Sequence, residues 1–445
     1  MLRARLLAGS TWALGARVLT SVTSLALGIL LTRLLRPGDV GIYFLTMSVV
    51  TVAAQLATLG LPRATLRMVA QSVGGRDTAR ARGTVRTVFR LSVIGCLAIA
   101  MFLGIGPGAW LASTLFDSQM MAQIMPLAAF WAVLLAFQGL LTETLRAFHD
   151  VRLASLLPVI TGLLSAAALW AATWGKEATL AQVVLLTLMA LLATSLFGLA
   201  LIPRKLKPLA TEIKVRSMEV LRVAWPMLMT GLSLFAVSQI DLWIIGAFRS
   251  QEEVAIYGAS LRVASQVGVP LVVLNAVVPP VIAEMFAGGE RERLSVLLQT
   301  SALLATVPAL ILFVILAWLG EPLLTLLFGP SYSQGSGVLM VLSLSYLVSV
   351  ASGSCGFALS MTGHERNRMV ITLLSGFILV GGGLLTVGRF GLMGVAISST
   401  SAVVVQNVLG VLAARRQAGI WTQVGIRPAR ALLASLRRAP RTRAR

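Results

Sequence analysis

The sequence predicts an all-α polytopic membrane protein, with about 12 transmembrane helices in two parallel-repeat six-helix lobes around a central cavity. Three observations predict it. The 445 residues are 57% hydrophobic and only 12% charged, far below the quarter or so of a soluble domain, with a mean hydropathy of +0.88. Windows of about 20 predominantly apolar residues, enough to cross roughly 30 Å of hydrocarbon, recur between short polar connections. A phrase near residue 40 returns near residue 254, one copy in each half.

The windows fall at about 10–32, 40–61, 88–111, 121–145, 153–173 and 179–202, then at about 222–247, 254–285, 297–319, 336–361, 369–387 and 391–413. The first follows a basic start, as in a signal peptide, but continues to Leu31 across Arg17 without a small-residue cleavage pattern, so it reads as a retained span. The third ends in Gly104-Ile105-Gly106-Pro107-Gly108, a span-end turn rather than a dinucleotide fingerprint, and no nucleotide-binding phosphate loop occurs elsewhere. The eighth is longer than one crossing and is expected to extend beyond the membrane. All twelve are rich in Leu, Ala, Val and Gly and read as helices, because barrel strands would alternate in polarity over about ten residues.

Lys and Arg number 30 in the N-terminus, even-numbered connections and tail, against 5 in the odd-numbered connections. That asymmetry places both termini in the cytoplasm, and the chain is expected in the cell inner membrane. The net charge of +21 is thereby a topology signal, with no soluble basic domain left to bind nucleic acid. Cys96 and Cys355 both lie in apolar runs, so neither a disulfide framework nor a metal site is expected.

The repeated phrase is Asp39-Val40-Gly41-Ile42-Tyr43 against Glu253-Val254-Ala255-Ile256-Tyr257. Leu115-Phe116 echoes Leu327-Phe328, His149 echoes His364, and Thr173-Trp174-Gly175-Lys176 echoes Thr386-Val387-Gly388-Arg389. Six spans per half is an even number, so both halves run in the same direction and are related by an axis along the membrane normal. The expected domains are an N-terminal lobe (1–214), a C-terminal lobe (215–414) and a basic tail (415–445). A cavity between two such lobes suits alternating access.

Four spans are polar along one face. Span 1 carries Arg17, Thr20, Ser21, Ser24 and Gly28 as one helical stripe; span 2 carries Ser48, Thr51, Gln55 and Thr58; span 7 carries Thr230, Ser238 and Asp241; span 8 carries Arg262, Ser265 and Gln266. Hydroxyls alone serve helix packing equally well. The charges are more telling, since one near the bilayer centre costs at least about 2.5 to 3.5 kcal/mol and normally faces a partner or a wet cavity. Arg17 lies roughly 10 Å from the inner boundary, within snorkelling reach. Asp241 and Arg262 have comparable depths on neighbouring spans and are expected to pair, or to serve coupling and cargo. Their repeat counterparts, Leu27 and Ser48, are uncharged.

The remaining polar groups read more plainly. Glu143, Arg146, His149, Asp150 and Arg152 form a polar cytoplasmic boundary, with both histidines isolated from any metal-binding pattern. Arg63, Arg67, Arg76, Arg80, Arg82, Arg86 and Arg90 suit topology retention or anionic lipid head groups. The tail 427–445 carries seven arginines with Leu432, Leu433 and Leu436 at helical spacing, as in a short amphipathic segment or a basic disordered end.

LTRLLRPGDVGIYFLTMSVVTVAAQLATLGLPRATLR at 31–67 and VAWPMLMTGLSLFAVSQIDLWIIGAFRSQEEVAIYGASLRVA at 223–264 resemble the Wzx-like oligosaccharide-lipid flippases. These polysaccharide exporters belong to the superfamily that also holds multidrug extruders and lipid II flippases. The resemblance spans about residues 8–414, and twelve spans favour this branch over the fourteen of lipid II flippases. It implies translocation of a polyprenyl-pyrophosphate-linked oligosaccharide to the outer leaflet, through a cavity lined by the first two spans of each lobe. Arg17, Arg262, Gln55, Gln266 and Ser24 are then the candidate cargo ligands, the arginines taking the pyrophosphate. Asp241 is the candidate ion-coupling or charge-pair residue. No cofactor is expected beyond a coupling proton or Na+; the expected partners are membrane lipids and polysaccharide polymerases. The alternatives are a cation-coupled multidrug extruder of the same fold, then a lipid II-type flippase or a membrane polymerase, then a non-transporting scaffold.

Overall fold

The computed structural model describes residues 2–74, 77–148, 150–172, 178–206, 213, 215–276 and 278–425, with side chains not described at 2–14, 74, 203–206, 230, 233–238 and 280. The expected domain boundary at 214, His149, Lys176, the tail 427–445 and the side chains of Thr230 and Ser238 fall outside what is described.

The first lobe contains α1 (Leu2–Leu34), α2 (Pro37–Thr58), α3 (Leu61–Gly74), α4 (Thr78–Gly104), α5 (Pro107–Leu115), α6 (Gln119–Ala147), α7 (Val151–Ala172) and α8 (Leu180–Leu206). The second contains α9 (Ser217–Phe248), α10 (Gln251–Ala264), α11 (Val269–Leu274), α12 (Val278–Ala287), α13 (Arg291–Phe328), α14 (Ser336–Ser352), α15 (Cys355–Met361) and α16 (Glu365–Ala413). Local chemistry sets several of the starts. Pro37 and Pro107 sit in the first turns of α2 and α5, where their fixed φ and missing N–H cost nothing. Ser118 caps α6 through the Met121 amide, and Ser250 with Glu253 forms a reciprocal capping box on α10.

Ten described stretches of helix are long and apolar enough to cross a membrane. Two further crossings complete about twelve. One is α9; the other arises because α16 folds back at Gly391 (φ 56°), bringing the Thr386 and Ser398 hydroxyls to 3.3 Å and Gln406 Nε2 to 3.5 Å from Thr372 Oγ1. Outward-facing apolar side chains such as Trp318 (85% exposed) and Leu385 (81%) form the surface expected to meet lipid.

The broken helices depart from the plain windows. Span 8 is not one long helix: α10 passes through a 3-10 turn at Ser265–Gly268 into α11, then breaks before α12. Pro270 removes a donor from the helix ladder, and Pro279-Pro280 begin α12, where prolines are tolerated. Span 10 breaks between α14 and α15 at Gly353 (φ 67°), where a Cβ would collide with the Thr422 carbonyl oxygen. The arginine-rich connection after span 2 contains α3, an amphipathic helix burying Leu61, Ala64, Thr65, Met68 and Val69 while exposing Arg63 and Arg67.

The repeat is visible in the packing of the lobes. At the face carrying the odd-numbered connections, α2 lies against α10 so that repeat mates touch each other. A Cβ on Gly41 would strike the backbone of Gln251 and Ala255, and one on Gly258 would strike the Phe44 ring. Gly41 with Ala255 and Phe44 with Gly258 share one offset of 214 residues, so the pseudo-twofold axis passes between α2 and α10 here. Tyr43 and Tyr257 are both fully buried beside this axis, within the largest apolar core.

Candidate functional site

The α1 stripe runs along span 8, antiparallel to it. Arg262 donates from Nη1 to the Ser24 carbonyl at 3.4 Å, over Gly28, whose missing Cβ leaves room for the guanidinium. One turn along, Ser21 Oγ donates to Gln266 Oε1 at 2.8 Å, while Gln266 Nε2 holds the Arg262 carbonyl. At the far end, exposed Arg17 borders a cavity of about 400 Å³ with Ser21, Ser265, Gly268, Val269 and Tyr346. Four of the six expected residues, Arg17, Ser24, Arg262 and Gln266, thus lie along one interlobe seam.

Gln55 lies elsewhere, on α2 beside Gly231 of α9, with Arg63 as its neighbour there. The hydroxyls of Thr20, Ser48, Thr51, Thr58 and Ser265 donate to carbonyls three or four residues back in their own helices. That arrangement suits helix packing.

Asp241 and Arg262 are not an ion pair. Asp241, 3% exposed, accepts from the Tyr257 hydroxyl and its own neighbour's amide, Leu242 N, both at 2.9 Å. Arg262 points across the seam to the other lobe, its guanidinium carbon 4.4 Å above the Phe44 ring centroid. Depth along a sequence cannot tell which way two helices turn their faces, and here the repeat tyrosine, five residues before Arg262 and so on another face of α10, takes the aspartate.

Asp241 lines a second cavity, of about 360 Å³, inside the second lobe. Its walls include Asn275 at the end of α11, Ser349, Ser354, Asn407 and Arg368. The two helix breaks meet at this wall, since Ser354 Oγ donates to Asn275 Oδ1 at 2.6 Å. Tyr346 and Ser349 border both cavities, so α14 forms the partition between them.

Toward the face with the even-numbered connections lies a cluster that spacing alone does not reveal. Glu143 accepts from Arg146 Nη1 at 2.7 Å, and the charges of Arg63 and Arg17 also act on its carboxyl. Arg63 in turn acts on Arg368 of the other lobe. Three arginines, from α1, α3 and α6, therefore gather around one carboxylate, and Arg63 links them to Arg368 of α16, which has Glu365 of its own helix beside it. Read singly, Arg63 and Glu143 resemble topology signals; only the fold brings them to Arg17.

Comparison with known proteins agrees with this architecture. The sequence matches the polysaccharide biosynthesis protein family over residues 6–286 and the MatE family over 226–381. No curated protein sequence matches the chain. Among solved structures, an inward-facing multidrug resistance MATE family transporter of the MOP superfamily superposes with a TM-score of 0.74 at 19% identity, over 92% of this chain and 98% of that one. An outward-facing multidrug resistance MATE transporter gives 0.68 at 18%, over 93% and 95%. A MOP superfamily transporter from Pyrococcus furiosus, described as having a binding pocket of reverse polarity, gives 0.65 at 17%, over 93% and 95%. With the family match extending over more than half of its length, the chain belongs to the polysaccharide biosynthesis protein family and carries the two-lobed fold of MOP-superfamily transporters.

Proposed function

We propose that the protein translocates a polyprenyl-pyrophosphate-linked oligosaccharide from the inner to the outer leaflet of the cell inner membrane by alternating access, serving cell-surface polysaccharide assembly. The observation that carries this reading is the sign of the charge at the mouth of the interlobe space, where Arg17, Arg63 and Arg146 surround the carboxylate of Glu143. A desolvated diphosphate needs several fork-shaped donors, and arginine keeps its charge at any working pH. With the odd-numbered connections outside, the α2–α10 seam closes the cavity from the exterior while Arg17 faces an opening on the cytoplasmic side. Both termini are then cytoplasmic.

Arg17, Ser24, Gln266 and Gln55 would contact the cargo, with Arg262 joining them when the seam opens and its hold on Ser24 and Phe44 is released. Asp241, buried beside a polar chamber between two broken helices, would bind the coupling proton or Na+. Anionic lipids and a polysaccharide polymerase are the proposed partners, and the role is transport rather than catalysis.

A second reading, a cation-coupled drug extruder, is favoured by the MatE match over 226–381 and by buried Asp241. One experiment separates them: leaflet exchange of a fluorescent polyprenyl-pyrophosphate oligosaccharide in proteoliposomes, beside gradient-driven efflux of an organic cation. Exchange of the lipid, lost in Arg17→Ala and Arg262→Ala at matched incorporation, supports the flippase. Cation efflux without lipid exchange under several ion gradients replaces it with the extruder.

A further inference from the structure

We propose that Glu143 is an exchangeable counter-ion of the cargo site: its carboxylate occupies the arginine cluster when the cleft is empty and yields those arginines to the anionic head group of the cargo. The inference rests on the cargo being a diphosphate lipid and assigns a specific residue to its binding and release.

The geometry of the carboxylate carries it. Glu143 lies four residues before the end of α6, and its two oxygens are unequal. Oε1 is held by Arg146 at 2.7 Å, whereas Oε2 is shut away from solvent without a hydrogen-bond partner. A buried carboxylate oxygen without a donor is a poor resting place unless a donor reaches it in another arrangement. Two stand nearby: the exposed side chains of Arg17 and Arg63, whose charges already act on this carboxyl. Both are long and flexible; Arg17 borders the interlobe cavity, and Arg63 lies beside Gln55 near Gly231.

A carboxylate and a diphosphate compete for the same guanidinium donors. In the empty cleft Glu143 offsets part of the arginine charge, so that the lobes can close over the cluster without stranding unpaired cations. When cargo enters, the phosphates take Arg17 and Arg63, and Glu143 falls back on Arg146 alone. When the lobes close over the cluster, the carboxylate competes again for Arg17 and Arg63, which hastens release of the head group. Glu143 therefore weakens binding of the anion while speeding its turnover, a combination that a purely structural carboxylate does not produce.

The test is a pair of measurements on the full-length protein, using a fluorescent farnesyl pyrophosphate as probe in nanodiscs and the lipid exchange assay in proteoliposomes. Glu143→Gln is expected to bind the probe about tenfold more tightly, from loss of one nearby like charge, and to exchange lipid more slowly. Glu143→Asp, which keeps the charge, should return both values toward wild type. Added inorganic pyrophosphate should raise the melting temperature of Glu143→Gln by more than that of wild type. Equal or weaker probe binding by a folded Glu143→Gln overturns the counter-ion role while leaving the diphosphate cargo standing. If wild type itself binds no pyrophosphate probe, the cargo reading fails and the counter-ion role falls with it. If Glu143→Gln does not fold, equally fast exchange and unchanged probe affinity in a Glu143→Ser variant overturn the role.

Discussion

Gly41→Ala is the sharpest test of how the two lobes meet. Gly41 stands on the pseudo-twofold axis, where its added Cβ would fall on the Gln251 carbonyl, 2.8 Å from the carbon of that group and 3.3 Å from the Ala255 amide nitrogen. Every atom it meets is backbone, so none can rotate aside and α2 must part from α10. Overpacking of this kind costs about 1 to 3 kcal/mol, and at about 1.4 kcal/mol per tenfold it shifts the closed-to-open ratio of this seam by roughly 5- to 150-fold. The substitution does not weaken α2 itself, because alanine favours a helix over glycine by roughly 0.5 to 1 kcal/mol. The assay is double electron–electron resonance between spin labels at exposed Asp117 and Glu252, one in each lobe at the odd-connection face. The longer-distance population should grow. Gly258→Ala is the comparison, since its Cβ meets the Phe44 ring, which can turn, and its shift should be smaller. An unchanged distance distribution in Gly41→Ala, or a larger shift in Gly258→Ala, would refute the axis contact as the closure of the seam.

Other expectations follow from the same contacts. Tyr257→Phe removes the hydroxyl that Asp241 accepts from and should lower stability by about 1.5 to 3 kcal/mol, read as a melting-temperature drop that Tyr43→Phe, with no carboxylate partner, does not reproduce. Asp241→Asn should abolish the ion dependence of transport; full transport with unchanged ion dependence would remove this residue from coupling. Phe44→Leu takes away the ring beneath Arg262, worth about 0.5 to 2 kcal/mol, and should loosen the seam in the same resonance assay. Deleting 427–445 should leave lipid exchange largely intact, and complete loss in a normally folded protein would assign the tail a larger part.

The departures between sequence and fold have particular causes. The polar stripe of Arg17, Ser21, Ser24 and Gly28 was legible because 3.6-residue periodicity is a local property, and the fold docks it along span 8. Comparable depth suggests an Asp241–Arg262 pair, but the Tyr257 hydroxyl takes the aspartate while Phe44 takes the arginine. Glu143 stood only three residues from Arg146 and looked like a boundary pair; Arg17, 126 residues earlier, completes its surroundings. The breaks at Asn275 and Gly353 are hidden inside apolar runs, because hydropathy measures length and not continuity of a helix.

By itself the sequence determined that the chain is helical and bilayer-sized, that it crosses about twelve times, and that its halves are parallel repeats. Those properties rest on apolar length, period and charge counts, which each segment carries alone. Which carboxylate meets which arginine, where helices break to line a chamber, and which repeat mates touch on the axis were decided by tertiary structure. They depend on the rotation of one helix against another, and no single segment contains that angle.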